Sequence, residues 1–336
     1  MPRFDDYVEQ ALYHSGKGFY ATGGRAGRRG DFLTSPEVGP LFGAVLARAL
    51  DTWWHELDRP DPFTVVDAGA GPGTLARTFL AAEPECAGAL RYVAVERSAA
   101  QRSRHPDGVE SRADLPDSPV TGVVVANELL DNLPFRLVER TTDGWGEVWV
   151  DAGAEVLVAL DDLPPVLGGL EAAPGSRVPV QEQAAAWLGA ALGLLDRGRV
   201  VVIDYADTTA SMASRSPDEW LRTYCGHERG GPPLDAPGTQ DITVEVAVDQ
   251  LADAAGRPPD VDRSQAEFLA VHGIGELVAE GKRIWAERAH LGDLAAIRAR
   301  SRVSEAAALT DPNGLGAFRV LQWAVPTATG DISMPS

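Results

Sequence analysis

Three groups of residues in this chain have types and spacings suited to chemistry. The first is Asp67-Ala68-Gly69-Ala70-Gly71-Pro72-Gly73, followed by Thr74-Leu75. Glycines at such a turn accept φ > 0 and let backbone N–H groups come close to a bound ligand. The second is Glu96, which ends the apolar run Tyr92-Val93-Ala94-Val95 and lies 23 residues beyond Gly73. A carboxylate at the tip of the second strand of a nucleotide-binding βαβ unit accepts hydrogen bonds from ribose hydroxyls. The third is Asn127-Glu128-Leu129-Leu130-Asp131-Asn132-Leu133-Pro134. Together with Glu37 and Asp31, from Gly30-Asp31-Phe32-Leu33-Thr34-Ser35-Pro36-Glu37, its acids Glu128 and Asp131 could grip a cation through paired carboxylates. The first two groups imply an adenosine-type ligand.

An alternation of strands and helices must position these residues. The pattern predicts strands at 63–68, 92–96 and 122–127, with helices starting at Thr74 and Ser98 between them. That βαβαβ order implies a mostly parallel, Rossmann-like sheet with helices on both faces, an α/β fold. Ligands of open parallel sheets sit outside the carboxyl ends of the strands, which puts Asn127, Glu128 and Asp131 beside the glycine turn. Segments 136–140 and 147–150 flank Asp143-Gly144 as a hairpin. A helix over 181–195 and a buried parallel strand over 199–205 follow. Upstream, 4–13 has helical spacing, 23–30 is a glycine- and arginine-rich loop, and a helix runs from Pro40 with Trp53 and Trp54 as packing residues. The organisation read from this is an N-terminal helical segment over 1–58 that covers the site and a core over 59–206. An irregular insertion over 207–262 is suited to substrate binding, 263–326 completes the core, and 327–336 is a tail. Within 263–326 a long helical stretch spans 276–309 and a last strand 318–325.

Composition narrows the function. The formal charge of −19 disfavours nucleic acid, which is bound through basic patches. No apolar run reaches the ~18 residues of a membrane span, so membrane insertion is not expected. Two distant cysteines, Cys86 and Cys225, fit a reducing cytoplasm, and neither they nor the scattered histidines make a metal site. Each motif also has a purely structural explanation. Asn127 could cap a helix whose first turn exposes the acids. Ser35 could be an N-cap with Pro36 at the first helical position. The glycine spacing discriminates further, because a dinucleotide fingerprint is G-x-G-x-x-G and Thr74 stands where its third glycine belongs. That counts against a nicotinamide dehydrogenase.

The G-x-G-x-G spacing resembles the turn of class I methyltransferases, and the full set of motifs resembles the MidA-like methyltransferases. The motifs are Gly16-Lys17-Gly18-Phe19-Tyr20, the 30–37 segment with Phe42-Gly43, the glycine turn and the 127–134 segment. Further on come Ile203-Asp204-Tyr205, Leu221-Arg222-Thr223-Tyr224, His227, Gly238-Thr239-Gln240-Asp241-Ile242-Thr243, Gln265-Ala266-Glu267-Phe268-Leu269 and Phe318-Arg319-Val320-Leu321. The resemblance runs from about residue 7 to 325. It implies S-adenosylmethionine as cofactor and a protein arginine as acceptor, since mitochondrial members dimethylate an arginine of a respiratory complex I subunit. It further implies cofactor contacts from Asp67, Gly69, Gly71, Gly73, Glu96, Asp114 and Pro36, and catalytic roles for Glu128, Asp131, Glu37 and Asn127. The alternatives are a small-molecule acceptor and a non-catalytic assembly protein on the same fold. Two departures bear on substrate choice: Glu245, where the family usually has histidine, and the composition of the 23–30 loop.

Overall fold

The fold was obtained as a computed structural model, which describes residues 1–22, 34–160, 162–226 and 228–326. Asp31, the 23–30 loop, His227 and the 327–336 tail lie outside the described residues. Seven strands form the central sheet: β1 (Phe63–Ala68), β2 (Leu90–Val95), β3 (Glu110–Arg112), β4 (Val120–Asn127), β5 (Leu195–Asp204), β6 (Val261–Ser264) and β7 (Arg319–Val325). Their order is β6-β7-β5-β4-β1-β2-β3. Strands β1 to β5 run parallel, and β7 lies antiparallel between β5 and β6. The order reverses at β1 and β4, which opens a crevice at their carboxyl ends.

Successive residues of a strand point to opposite faces, and the core divides accordingly. Val65, Val123, Val125, Val201 and Ile203 pack under the helices Pro40–Glu56, Thr74–Leu80 and Gln265–Val271. Val66, Val124, Ala126, Val200 and Val202 pack against Glu182–Gly193 and Val248–Ala255. All six residues of β1 are buried, as in a parallel strand covered on both faces. The N-terminal helix Phe4–Tyr13 buries Phe4, Val8, Ala11 and Leu12, one stripe of its surface. That stripe packs on Phe135, Leu137, Val148 and Val150, beside a four-stranded antiparallel sheet. The hairpin over 136–140 and 145–151 is the centre of that sheet, with Ala154–Ala159 and Arg177–Val180 outside it.

The parallel sheet, the helices on both faces and the hairpin match the sequence reading. Four details differ. Strand β3 was not anticipated: it is three residues long, at the sheet edge and with none of them buried, so it carries no apolar period. The Asn127 segment therefore leaves the fourth strand, not the third. The helix after Ser98 stops at Arg102 after four residues. The 276–309 stretch is two helices, Ile274–Arg288 and Leu294–Leu309, broken at Gly292 (φ 60°) and restarted by the Asp293 side chain, which accepts from Ala296 N. Finally, 207–262 holds more regular structure than its composition suggests, including a three-stranded sheet with Leu221–Cys225 at its centre and strand β6. Among the described residues no helix is long and apolar enough to cross a membrane.

Candidate active site

The glycine turn leaves β1 directly into a cavity of about 310 Å³ at the switch point. Gly69 and Ala70 donate their N–H groups to Val95 O at the tip of β2 (2.9 and 3.0 Å), which pins the turn to the sheet. All three glycines have positive φ: 74° at Gly69, 52° at Gly71 and 80° at Gly73. A Cβ on Gly69 would stand 2.9 Å from Leu129 Cδ1, whereas one on Gly71 would meet nothing within 3.4 Å. Gly69 and Gly71 line the cavity. Gly73 does not: it starts the helix Thr74–Leu80 and packs on His105 and Pro106, with Pro106 Cδ 2.9 Å from where its Cβ would be. Spacing announces a turn with φ > 0 but not which glycine faces the ligand.

Glu96 lines the same cavity and accepts from Gly71 N (3.0 Å) and Ser98 N (2.7 Å). Each carboxylate oxygen has a second lone pair left for a hydroxyl donor. Asp114, exposed in the segment after β3, and Leu115 border the cavity further along, and Pro36 and Glu37 close it from the N-terminal side. Glu37 Oε1 accepts from Thr74 Oγ1 at 2.6 Å. Asp67 is buried at the end of β1, where Tyr92 OH donates to it (2.9 Å) while burial pushes its carboxyl up to about 7.

The Asn127 segment is not a capped helix. Asn127 Nδ2 donates to Glu128 Oε1 (3.0 Å), and the short 3-10 turn begins only at Leu130. Glu128 has φ 53°, a left-handed conformation that is uncommon outside glycine and costs about 1 kcal/mol or more. Several bonds hold it there. Glu128 N donates to Ile203 O (2.8 Å), and Asp204 Oδ2 accepts from Leu130 N and Asp131 N (3.0 and 3.2 Å). On the other side Ser35 N donates to Glu128 Oε1 at 2.9 Å. Ser35 is the first residue of its helix and Thr34 the cap, one position earlier than the sequence suggested. Burial, with Asp204 nearby, pushes the Glu128 carboxyl up to about 8 against the Ser35 and Asn127 hydrogen bonds.

Asp131 is not on the cavity wall. It is buried beneath it, its Oδ1 has no hydrogen-bond partner among the described residues, and burial and the acids Asp204, Asp241 and Glu128 push its carboxyl well up. Thus Glu37, Asn127 and Glu128 share the cavity, and Asp131 stands behind them.

The wall also holds residues not singled out from the sequence as site residues, among them Tyr13, Tyr20, Arg97, Gln101 and Trp187. Tyr13 and Tyr20 stack at 5.5 Å and 20°, and their hydroxyls donate to Asn132 O and Asp241 Oδ1 (3.1 Å each). The Arg97 guanidinium lies 4.6 Å from the Tyr13 ring centre and pairs with Glu9 at 2.8 Å. Gln101 and Trp187 line the cavity as well. Of these five, Tyr20 had a signal, inside the Gly16–Tyr20 motif. Two buried acceptor atoms on the wall, Asn127 Oδ1 and Gln101 Oε1, lack partners among the described residues. Orphan acceptors beside a glycine cradle and a ribose-type carboxylate suit a ligand with N–H donors, and S-adenosylmethionine has both an ammonium and an adenine amino group. The residues present fit that cofactor.

Comparisons with known proteins agree. A protein-family model described as "Putative S-adenosyl-L-methionine-dependent methyltransferase" matches residues 45–262. The chain is 25% identical over 293 residues to a mouse protein named "Protein arginine methyltransferase NDUFAF7, mitochondrial", covering 72% of this chain and 63% of that one. The human protein of that name is 26% identical over 290 residues, covering 72% and 62%. The chain thus spans a little under two thirds of these curated relatives. Among solved structures, a COG1565 superfamily member from Burkholderia thailandensis bound to S-adenosyl-homocysteine superposes with a TM-score of 0.82 at 28% identity, covering 96% of this chain and 87% of that one. A native structure of a COG1565 superfamily protein from the same organism gives 0.78 at 29%. By fold, site and sequence, the chain belongs to this family of S-adenosyl-L-methionine-dependent methyltransferases, the MidA-like group.

Proposed function

We propose that the chain methylates an arginine side chain of a protein. The observation that carries this reading is Glu128, a strained carboxylate on the cofactor cavity backed by the buried acids Asp131, Asp204 and Asp241. The names of the mouse and human relatives support it. A guanidinium keeps its proton in proteins and its lone pair is delocalised, so it reacts only when gripped and oriented. A negative, desolvated pocket does both.

When bound, the cofactor supplies an electrophilic methyl group on a sulfonium. The chain's residues do the rest. Gly69 and Gly71 allow close backbone approach, Glu96 takes ribose hydroxyls, Asp114 and Leu115 flank the base, and Asn127 Oδ1 and Gln101 Oε1 accept from amino groups. Asp67, Pro36 and Glu37 shape the wall, and Gly73 acts indirectly by setting the turn. Glu128 holds the acceptor through Oε2, because Ser35 and Asn127 already occupy Oε1. Methylation leaves the product guanidinium protonated and releases one proton, which a carboxyl held near 8 is suited to take. Asp131 packs behind it, its carboxyl pushed up by burial and by the neighbouring acids. The 207–262 segment supports a role in acceptor recognition, since its Asp241 reaches Tyr20 and Asn132.

The acceptor is read as a protein with an accessible arginine, with a respiratory-complex subunit as a candidate, and the site of action as the cytoplasm. The test is labelled S-adenosylmethionine with lysate of a strain lacking the gene, followed by acid hydrolysis and amino-acid analysis. Label in methylarginine supports the reading. Label confined to small molecules, or protein label undiminished by Glu128→Gln, overturns it.

A further inference from the structure

Gln265 belongs to a sequence motif that neither the cofactor cavity nor the acid cluster has used. It is fully buried, as is Ser35, although 230 residues separate them. Ser35 Oγ donates to Gln265 Oε1 at 2.9 Å, and Gln265 Nε2 donates to Leu309 O at 3.1 Å, at the end of the helix Leu294–Leu309. The Gln265 main chain is tied to the sheet as well, its N–H donating to Phe318 O at 2.7 Å. Both side-chain atoms of Gln265 are therefore engaged, one by a fixed helix end and one by Ser35.

The amide of Ser35 lies at a helix start, where N–H groups have no partner within the helix. It donates to Glu128 Oε1, in a helix of only four residues that could not hold its own position. The hydroxyl bond to Gln265 anchors the Ser35 end of that helix, as the Thr74 bond to Glu37 anchors its middle. A fixed Ser35 amide keeps Oε1 turned to the protein and leaves Oε2 toward the cavity. We propose that Ser35 and Gln265 form a positioning pair that orients the Glu128 carboxylate, so that they govern methyl transfer without contributing to cofactor affinity. Neither Ser35 nor Gln265 lines the cavity. The inference rests on the reading of Glu128 given under Proposed function.

The experiment uses Ser35→Ala, Gln265→Met (similar in size, without the hydrogen bonds) and the double variant. Two quantities are measured on each full-length preparation: the Kd for S-adenosylhomocysteine by calorimetry, and the labelling rate of knockout lysate at saturating S-adenosylmethionine. Each single variant is expected to lower the rate about ten-fold or more with the Kd unchanged within about two-fold. The double variant is expected to be no slower than the worse single, because both break one link. Rates near wild type, losses that multiply, or a Kd that weakens in step with the rate overturn the proposal. If Gln265→Met does not fold, Ser35→Ala decides through the same two readouts. Glu128→Gln runs alongside: if it keeps its rate, the reading of Glu128 fails, whereas if it loses its rate and Ser35→Ala does not, only the positioning pair fails.

Discussion

Glu128→Gln should make this protein more stable at neutral and alkaline pH while removing its activity. Burial holds the Glu128 carboxyl at about 8 in the folded chain, against an ordinary value of 4.5. The folded state therefore binds more protons than the unfolded state between those two values, and stability falls as pH rises through the window. The slope is about 1.4 kcal/mol per pH unit for one group, so about 3 kcal/mol is forfeited by pH 7. Glu128 opens partly to the cavity, where water offsets some of that cost, and about 1–2 kcal/mol is the expected gain. Glutamine keeps the local geometry, since its carbonyl oxygen can accept from Ser35 N and Asn127 Nδ2 while its amide turns to the cavity. The assay is urea unfolding at pH 5, 7 and 8, with Tm as a second readout expected to rise about 1–3 °C at pH 7. The gain should grow from pH 5 to pH 8. A variant that is equally or less stable at pH 8, or whose advantage does not shrink toward pH 5, refutes the argument that the folded chain holds an uncompensated carboxylate there.

The same carboxyl predicts a pH–rate profile: about a tenth is ionised at pH 7 and about nine tenths at pH 9, so kcat/KM should climb close to ten-fold between them. A flat or falling limb in the lysate-labelling assay would contradict this. Gly69→Ala should weaken S-adenosylhomocysteine binding at least ten-fold, through its φ of 74° and the collision with Leu129 on the cavity side. Gly73→Ala, which crowds Pro106 away from the cavity, should cost mainly Tm; calorimetry and thermal melts on both variants separate the two, and equal effects on Kd would sink the distinction. Arg97→Ala removes a cation–π stack on Tyr13 and an exposed ion pair with Glu9, and should weaken S-adenosylhomocysteine about two- to five-fold with stability unchanged within about 0.5 kcal/mol. A large loss of Tm would show that Arg97 is structural instead.

What was legible in the sequence was what local chain chemistry dictates. The glycine turn, Glu96 and the 127–134 segment each depend on a few contiguous residues, and the structure places them around one cavity. Strand β3 was invisible because three residues at a sheet edge, none of them buried, need no apolar period. Tyr13 was read only as part of an amphipathic helix, since the ring that faces it, Tyr20, is brought there by a turn and not by periodicity. Asp131 illustrates a different limit. Its sequence position says it follows β4 closely, but a 3-10 turn, not an α-helix, decides that it points beneath the cavity wall. Likewise Asp204 and Asp241 converge on Glu128 and Asp131 from distant strands, and Gln265 on Ser35, by topology alone.

The structural explanation of the Asn127 segment makes a prediction that the fold does not meet. A capped helix would have given Asn127 a backbone amide to accept from, helical φ at Glu128 and two acids in water. Asn127 Oδ1 has no partner among the described residues, Glu128 is left-handed, and Asp131 is 4% exposed. Each of these costs free energy: a glycine at 128 would relieve the backbone, and apolar residues at 127 and 131 would remove the orphan acceptor and the buried acid. Strain, an orphan acceptor and desolvated carboxyl groups gathered at one strand end are tolerated only where the surrounding structure over-determines them. Asp204, Ile203 and the Ser35–Gln265 pair supply that over-determination from three sides. A segment held this firmly in an unfavourable state, on the wall of a cofactor cavity, supports chemistry as the reason for its residues better than packing does.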